Sequence, residues 1–208
     1  MNSHLIKTII ATLLAINSTQ LIAENLNADS YSKSKATKGV VIVAANWGRQ
    51  WQCGAYENAQ LINIEFLNLE NKEILKLETP SKLNVKPEFL NYGYIVDPGT
   101  YAISAFSVKV AKSSSEVGYF SADKNKLIPN NTPKGGTFNV KAGEVAYIGH
   151  YFIDCYKEPI PWRFYPEGKE AFNSYVKSIK SHYEFLEDVN ISFNILNTSV
   201  FGKPYELK

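Results

Sequence analysis

The stretch YGYIVDPGTYAISAF, residues 92–106, contains two apolar runs on either side of a short Pro-Gly turn. Proline presets φ for the second position of a β-turn, and glycine accepts positive φ at the third position. Pro98 and Gly99 therefore predict a type II turn. The flanking runs YGYIV and TYAISAF predict two antiparallel strands, so we expect the whole stretch to form a β-hairpin.

Further strands are indicated on both sides of this turn. The run GVVIVAAN (39–46) is continuously apolar and β-branched, which is typical of a strand buried on both faces. The run LINIEF (61–66) alternates between apolar and polar residues, which is typical of a half-buried strand. A long strand from Glu144 onward is apolar on both faces and is expected in the centre of a sheet. VNISFNI (189–195) alternates again and predicts a final strand.

One amphipathic helix is expected late in the chain, over about residues 168–187. Apolar residues recur there at helical spacing, and the set comprises Phe172, Val176, Ile179, Tyr183 and Leu186. Many short strands with turns between them, followed by one helix, predict a mainly β fold. We expect an antiparallel β-sandwich, transthyretin-like or Ig-like, with a C-terminal amphipathic helix and a final strand. Residues 38–208 should form this single domain.

The N-terminus has the features of a secretory signal peptide over residues 1–23. Lys7 supplies a positive charge, the run TIIATLLAI is apolar but too short to span a bilayer, and Ala23 precedes a plausible cleavage site. The alternative is a buried N-terminal helix. The polar segment 24–37 is expected to be a flexible leader. These features predict a periplasmic or secreted protein, without a lipid anchor because no Cys lies near the cleavage site, and without a later transmembrane segment.

Two cysteines, Cys53 and Cys155, remain after such a cleavage. An even pair in an oxidising compartment favours a disulfide, which would close a loop of about 100 residues. Two buried thiols, or one reactive cysteine, are the alternatives.

The charge balance excludes a general nucleic-acid binder. The net charge of the 208-residue chain is +2, and the basic residues are scattered, whereas phosphate binding requires concentrated Lys and Arg. With 45% hydrophobic and 20% charged residues, the composition is that of an ordinary globular protein.

Aromatic side chains around Cys53 form the candidate binding site. In NWGRQWQCGAY, the residues Trp47, Arg49, Trp51 and Tyr56 surround the cysteine. Flat aromatic rings with an arginine can stack on sugar rings or hold a peptide. A disulfide could bring a second cluster, which contains Trp162, close to the first. The alternative is that these rings pack around the disulfide as part of the core.

No recognised catalytic motif is present in the sequence. His150 and Asp154 lie four residues apart on one predicted strand, which could support a nucleophilic or a metal site near Cys155. A metal site needs three or four clustered ligands, so a hydrogen-bonded strand histidine is the expected role of His150. The sequence predicts no metal site and no cofactor, and it favours a protein that is not an enzyme.

YIVDPGTYAISAF, GYFSA and FNVKAGEVAYIGHY together resemble secreted bacterial β-sandwich domains of unknown function. Those domains have a PGTY hairpin followed by a strand pair with an AGEVxYIG pattern. The resemblance covers about residues 90–152, and it extends more distantly to transthyretin-like sandwiches. It implies an exported sandwich and carries no catalytic residue to this chain.

The leading hypothesis is an exported, non-enzymatic envelope protein that binds a peptide, a glycan or another envelope protein. One alternative is a hydrolase that acts on cell-wall material or another carbohydrate. The other is a subunit of a surface assembly that pairs through exposed strand edges.

Overall fold

The computed structural model describes residues 21–80 and 88–203. Twelve strands are present in this part of the chain: β1 (Glu24–Asn25), β2 (Gly39–Asn46), β3 (Arg49–Cys53), β4 (Tyr56–Asn68), β5 (Ile74–Glu78), β6 (Phe89–Val96), β7 (Gly99–Ala111), β8 (Val117–Ala122), β9 (Thr137–Val140), β10 (Val145–Asp154), β11 (Ile160–Phe164) and β12 (Ile191–Phe193). The helices are α1 (Ala28–Ser34), α2 (Lys124–Leu127) and α3 (Lys169–His182), and short 3₁₀ turns occupy Pro129–Asn131 and Glu184–Leu186. Most of the predicted signal peptide, residues 1–20, lies outside the described residues.

The strands form two sheets. One has the order β1-β6-β2-β10-β11, and β12 also pairs with β10. We call it the covered sheet because α3 packs on it. The other has the order β3-β4-β7-β8, with β5 paired to β4 and β9 paired to β7, and we call it the open sheet. The predicted mainly β sandwich with a C-terminal helix and a final strand is confirmed. The strand pairs of the open sheet are antiparallel, whereas β10 pairs in parallel with β2 and β12 in the covered sheet.

Two apolar layers hold these elements together. The larger layer lies between the sheets and includes Val41 and Val43 of β2, Leu61 of β4 and Val108 of β7. The smaller layer lies between the covered sheet and α3. It includes Val40 and Ile42 of β2, Tyr147 of β10, and Phe172 and Ile179 of α3. Because β2 contributes to both layers, all eight of its residues are buried, as expected from its continuous apolar sequence.

The prediction of a hairpin at the Pro98–Gly99 turn is wrong. Strand β6 pairs with β1 and β2 in the covered sheet, whereas β7 pairs with β4, β8 and β9 in the open sheet. The turn therefore carries the chain from one sheet to the other. The Lys141–Glu144 turn does the same, because β9 belongs to the open sheet and β10 to the covered sheet.

Hydrogen bonds from a neighbouring loop explain the crossing at Pro98–Gly99. The backbone N–H of Asp97 donates to Glu73 (2.8 Å), and that of Thr100 donates to Glu70 (2.8 Å). The hydroxyl of Tyr101 donates to the same buried Glu73 carboxylate at 2.5 Å. The backbone groups at the turn are thus bound by the β4–β5 loop, so β6 and β7 need not pair with each other. Gly99 has φ +152°, and a Cβ there would overlap the side chain of Glu70.

The segment 24–37, which the sequence predicts to be a flexible leader, instead contains β1 and α1. The side chain of Asn27 accepts the N–H of Ser30 (2.9 Å), and Ser30 reaches back to the N–H of Asn27, which forms a capping box. Leu26, just before the cap, is buried in the layer between α3 and the covered sheet. The leader prediction overlooked this combination of a cap and an adjacent apolar anchor.

Candidate functional site

A disulfide fixes the end of the strand that carries the candidate binding residues. Cys53, the last residue of β3, is bonded to Cys155, the first residue after β10. The predicted disulfide is therefore present and links the open sheet to the covered sheet. Gln52 has φ +56°, which interrupts the strand alternation immediately before the cysteine. Cys53 is fully buried, whereas Trp51 and Arg49 remain exposed.

Arg49 and Trp51 form a cation–π pair on the open sheet. The guanidinium carbon of Arg49 lies 5.6 Å from the centroid of the Trp51 ring. Trp51 is 61% exposed. Strand pairing places Arg49 opposite Gln60 and Trp51 opposite Asn58, so that two amide side chains of β4 lie beside the pair.

These side chains line a shallow cavity of about 290 Å³. We call this region the Trp51 surface, and its principal residues are Arg49, Trp51, Asn58, Gln60, Lys109 and Val117. They come from four adjacent strands, β3, β4, β7 and β8, so the surface has a rigid base. It offers one flat apolar ring, two amides and two cationic groups, and the carboxylate of Glu57 and the hydroxyls of Ser113 and Ser114 line the same cavity. This combination can stack on a ring and form hydrogen bonds to hydroxyl or carbonyl groups.

Trp47 is not part of this surface. Its side chain is 2% exposed, and its indole N–H donates to the hydroxyl of Tyr92 at 2.7 Å. Burial raises the pKa of the Tyr92 hydroxyl, so this hydroxyl stays protonated at neutral pH. Trp47 contributes indirectly, because its backbone carbonyl accepts a hydrogen bond from Gln60 (2.9 Å). The sequence predicted that Trp47 contacts a ligand, but the structure places its side chain in the core.

The other two predicted residues also lie away from the Trp51 surface. Tyr56 is half-buried and packs against the apolar layer between the sheets. Trp162 belongs to β11 of the covered sheet and lines a different cavity, of about 180 Å³. The disulfide thus joins the two sheets without merging the two aromatic clusters into one surface.

His150 lies in an aromatic cluster at the covered sheet. Its Nδ1 shares a hydrogen bond of 2.5 Å with the hydroxyl of Tyr147. The ring centroid lies 4.9 Å from that of Phe89 and 4.7 Å from that of Tyr175. Burial among these rings lowers the pKa of His150 to about 4, because the charged imidazolium loses its hydration. His150 is therefore neutral at pH 7, as a structural strand histidine would be.

The catalytic alternative based on His150 and Asp154 lacks the required contact. The carboxylate of Asp154 accepts the backbone N–H of Tyr156 at 3.1 Å, and its hydrogen bond is therefore local. Within residues 21–80 and 88–203, no group of three or more His, Cys, Asp or Glu side chains could hold a metal ion.

Sequence reasoning missed Arg163, which lies within the WRFY stretch. This arginine is buried, and its Nη1 donates to the carbonyl of Leu196 at 2.6 Å. Its guanidinium carbon lies 5.2 Å from the centroid of Tyr165. Arg163 therefore anchors the segment after β12 to the covered sheet. No pattern in the sequence distinguishes it from a surface arginine.

The sequence also missed the partners of Trp51 on the neighbouring strands. The polar side of YENAQL contains Asn58 and Gln60, and this alternation could have identified both residues. Lys109 and Val117 reach the same surface only through strand pairing, which no local pattern specifies.

Comparisons with protein-family models, with curated proteins and with solved structures gave no match to this chain. In the part of the chain that the structure describes, no helix is long and apolar enough to cross a membrane.

Proposed function

We propose that the protein is an exported binding module, periplasmic or secreted, and that the Trp51 surface holds a glycan. The observation that carries this proposal is the 61% exposed ring of Trp51 on the open sheet, beside the amides of Asn58 and Gln60. A large aromatic ring loses the hydrophobic gain of burial when it lies in water. A ligand that stacks on the ring recovers that gain.

The polar groups around the ring favour a sugar over an apolar ligand. Asn58 and Gln60 each offer a donor and an acceptor, and Lys109 adds further donors. Hydroxyl groups of a sugar can satisfy both kinds of partner, while the apolar face of its ring stacks on Trp51. A cavity of about 290 Å³ suits a short stretch of a glycan chain rather than a large enclosed ligand.

The disulfide between Cys53 and Cys155 supports the proposed location outside the cytoplasm, since such bonds persist mainly in oxidising compartments. Mass spectrometry of the protein from its native envelope tests the location. The expected mass is that of a chain cleaved near Ala23 with no free thiol. A full-length chain with two titratable thiols would contradict export.

Binding to a panel of envelope polysaccharides and peptidoglycan fragments, measured by calorimetry, tests the ligand class. Trp51→Ala should weaken binding by about fivefold or more, because stacking contributes about 1 kcal/mol or more. Trp162→Ala is the matched control, because this tryptophan belongs to the other sheet and lines another cavity. Equal affinity of the wild-type protein and Trp51→Ala for a bound glycan would contradict the assignment of the site. Binding of peptides but no glycan would contradict the ligand class.

A further inference from the structure

Edge strands of a sheet expose unpaired backbone groups, and proteins usually protect them with charges, prolines or irregular residues. Several edges of this sandwich have such protection. Strand β3 contains Gln52 in a left-handed conformation. Strand β5 has Lys76, which is ion-paired with Glu78 at 2.6 Å. Strand β11 contains Pro161, and its Arg163 N–H donates to the carbonyl of Phe201 at 2.6 Å.

Strand β8 has none of these features. Its sequence, VGYFSA, contains no charged residue and no proline, and none of its residues has positive φ. It pairs with β7, and among the described strands no other pairs with it. Val117 is 50% exposed and Tyr119 is 67% exposed. By the usual rules, such a strand is an unprotected site for pairing with another strand.

One hydrogen bond in the β7–β8 turn fixes which backbone groups of β8 are free. The N–H of Lys112 donates to the carbonyl of Glu116 at 3.0 Å, so the backbone of Glu116 faces β7. Backbone groups of successive residues in a strand point to opposite sides. The N–H and C=O groups of Val117, Tyr119 and Ser121 therefore point away from β7.

We propose that β8 pairs antiparallel with β8 of a second copy of this chain, across a two-fold axis at Tyr119. In this register Tyr119 lies opposite Tyr119 of the second copy, and Val117 lies opposite Ser121. All the outward backbone groups are then matched, in about six hydrogen bonds. Antiparallel pairing of a strand with itself is isologous, so the assembly closes as a dimer rather than extending as a fibre.

Side chains in this register are self-complementary. Gly118 lies opposite Phe120 of the other copy, and this contact occurs twice. A Cβ built on Gly118 meets no atom within 4 Å, so there is open space beside this glycine. The Phe120 ring is half-buried and lies 6.3 Å from the Phe106 ring. The aromatic ring of one copy can therefore cover the glycine of the other, as in cross-strand aromatic–glycine pairs. This fit favours a second copy over an unrelated extended peptide.

Sedimentation velocity over a wide range of protein concentration tests the proposal. The wild-type chain should show a concentration-dependent dimer. Tyr119→Lys places two like charges opposite each other at the axis and should weaken the dimer by about tenfold or more. Ser121→Pro removes an outward N–H without removing a bond to β7, and it should have a similar effect. Tyr156→Lys is the matched control, because Tyr156 is 86% exposed and lies in the loop after β10.

A second experiment tests the register by recovery of the dimer, which a variant that fails to fold could not produce. Tyr119→Glu alone should also weaken the dimer, and an equimolar mixture of Tyr119→Lys and Tyr119→Glu should form a heterodimer at a concentration where each variant alone is mostly monomeric. A wild-type chain that stays monomeric at about 1 mM overturns the proposal. The proposal is also overturned if Tyr119→Lys dimerises as tightly as the wild type, or if Tyr156→Lys weakens the dimer as much as Tyr119→Lys does. A mixture of the two Tyr119 variants that stays monomeric overturns it as well. The pairing does not depend on the glycan proposal, since it can be measured without any ligand.

Discussion

The outer faces of the two sheets differ sharply, although both belong to the same sandwich. On the covered sheet, Val40, Ile42 and Tyr147 lie under the apolar side of α3. On the open sheet, Asn58 and Lys109 face a shallow cavity beside Trp51. The outward residues of a strand therefore decide whether a helix can pack on it. A continuous apolar strand such as β2 must be covered on both faces, whereas an alternating strand such as β4 needs only the inner layer.

The disulfide cross-links the two sheets, and its removal should have the largest effect on stability. The double variant Cys53→Ser/Cys155→Ser opens a loop with a sequence separation of 102 residues. The chain-entropy model gives a loss of about 4–5 kcal/mol in the free energy of unfolding. Urea unfolding of the variant and of the wild-type protein measures it. A reducing agent should destabilise the wild-type protein and leave the stability of the variant unchanged. If the free energies of unfolding of the two proteins differ by less than about 1 kcal/mol, the disulfide does not stabilise the fold as expected.

Truncation of Phe172 should weaken the packing of α3 on the covered sheet. This ring is buried and lies 5.6 Å from the Tyr147 ring and 5.0 Å from the Phe193 ring. Phe172→Ala should cost about 3–4 kcal/mol, because it removes apolar contacts and leaves a cavity. Chemical denaturation measures the cost. Lys177→Ala, an exposed position on the same helix, is the control and should change stability by less than about 0.5 kcal/mol.

Acid should lower the stability of the protein, because unfolding allows His150 to take up a proton. Its pKa is lowered to about 4 in the folded protein, from about 6.5 in an unfolded chain. The unfolded chain therefore binds more protons than the folded protein between these values, and stability falls as the pH drops from about 6.5 to about 4. The expected loss is on the order of 2 kcal/mol, reduced from the full value because His150 is only partly buried.

Thermal unfolding across this pH range checks the effect of His150. The variant His150→Gln keeps a hydrogen-bond acceptor for Tyr147 but cannot take up the proton. Its stability should depend less steeply on pH than that of the wild-type protein. Parallel curves for the two proteins would show that His150 does not cause the acid sensitivity.

Truncation on the open face should have the smallest effect on stability. Trp51→Ala should change the free energy of unfolding by less than about 0.5 kcal/mol, because the ring is mostly in water and no helix covers it. The same denaturation experiment as for Phe172→Ala gives a direct comparison of two aromatic truncations. A cost of about 2 kcal/mol or more would mean that Trp51 supports the fold, and this would remove the reason to assign it to a ligand.

Part of the candidate site could be predicted from the sequence, and part could not. The quoted stretch around Cys53 contains Arg49 and Trp51, and both belong to the Trp51 surface. Trp47 lies in the same aromatic stretch as Trp51, yet its side chain is buried against Tyr92, a residue of another strand. The choice between exposure and burial of two tryptophans four residues apart depends on which strands flank them. Local composition does not contain that information.

Most of the long strands, helix α3 and the favoured Cys53–Cys155 disulfide could be predicted from local sequence, whereas β1 and α1 were not predicted. Alternation with a period of two, continuous apolar runs and helical spacing are local properties, because each reflects how one segment meets a single apolar layer. Strand pairing, in contrast, depends on contacts between distant segments of the chain. The Pro98–Gly99 turn looks like a hairpin locally, but the carboxylates of Glu70 and Glu73 bind its backbone groups and direct β7 into the other sheet. The carboxylates that accept these hydrogen bonds lie more than twenty residues from the turn in the sequence. The local sequence of the turn therefore could not have predicted them.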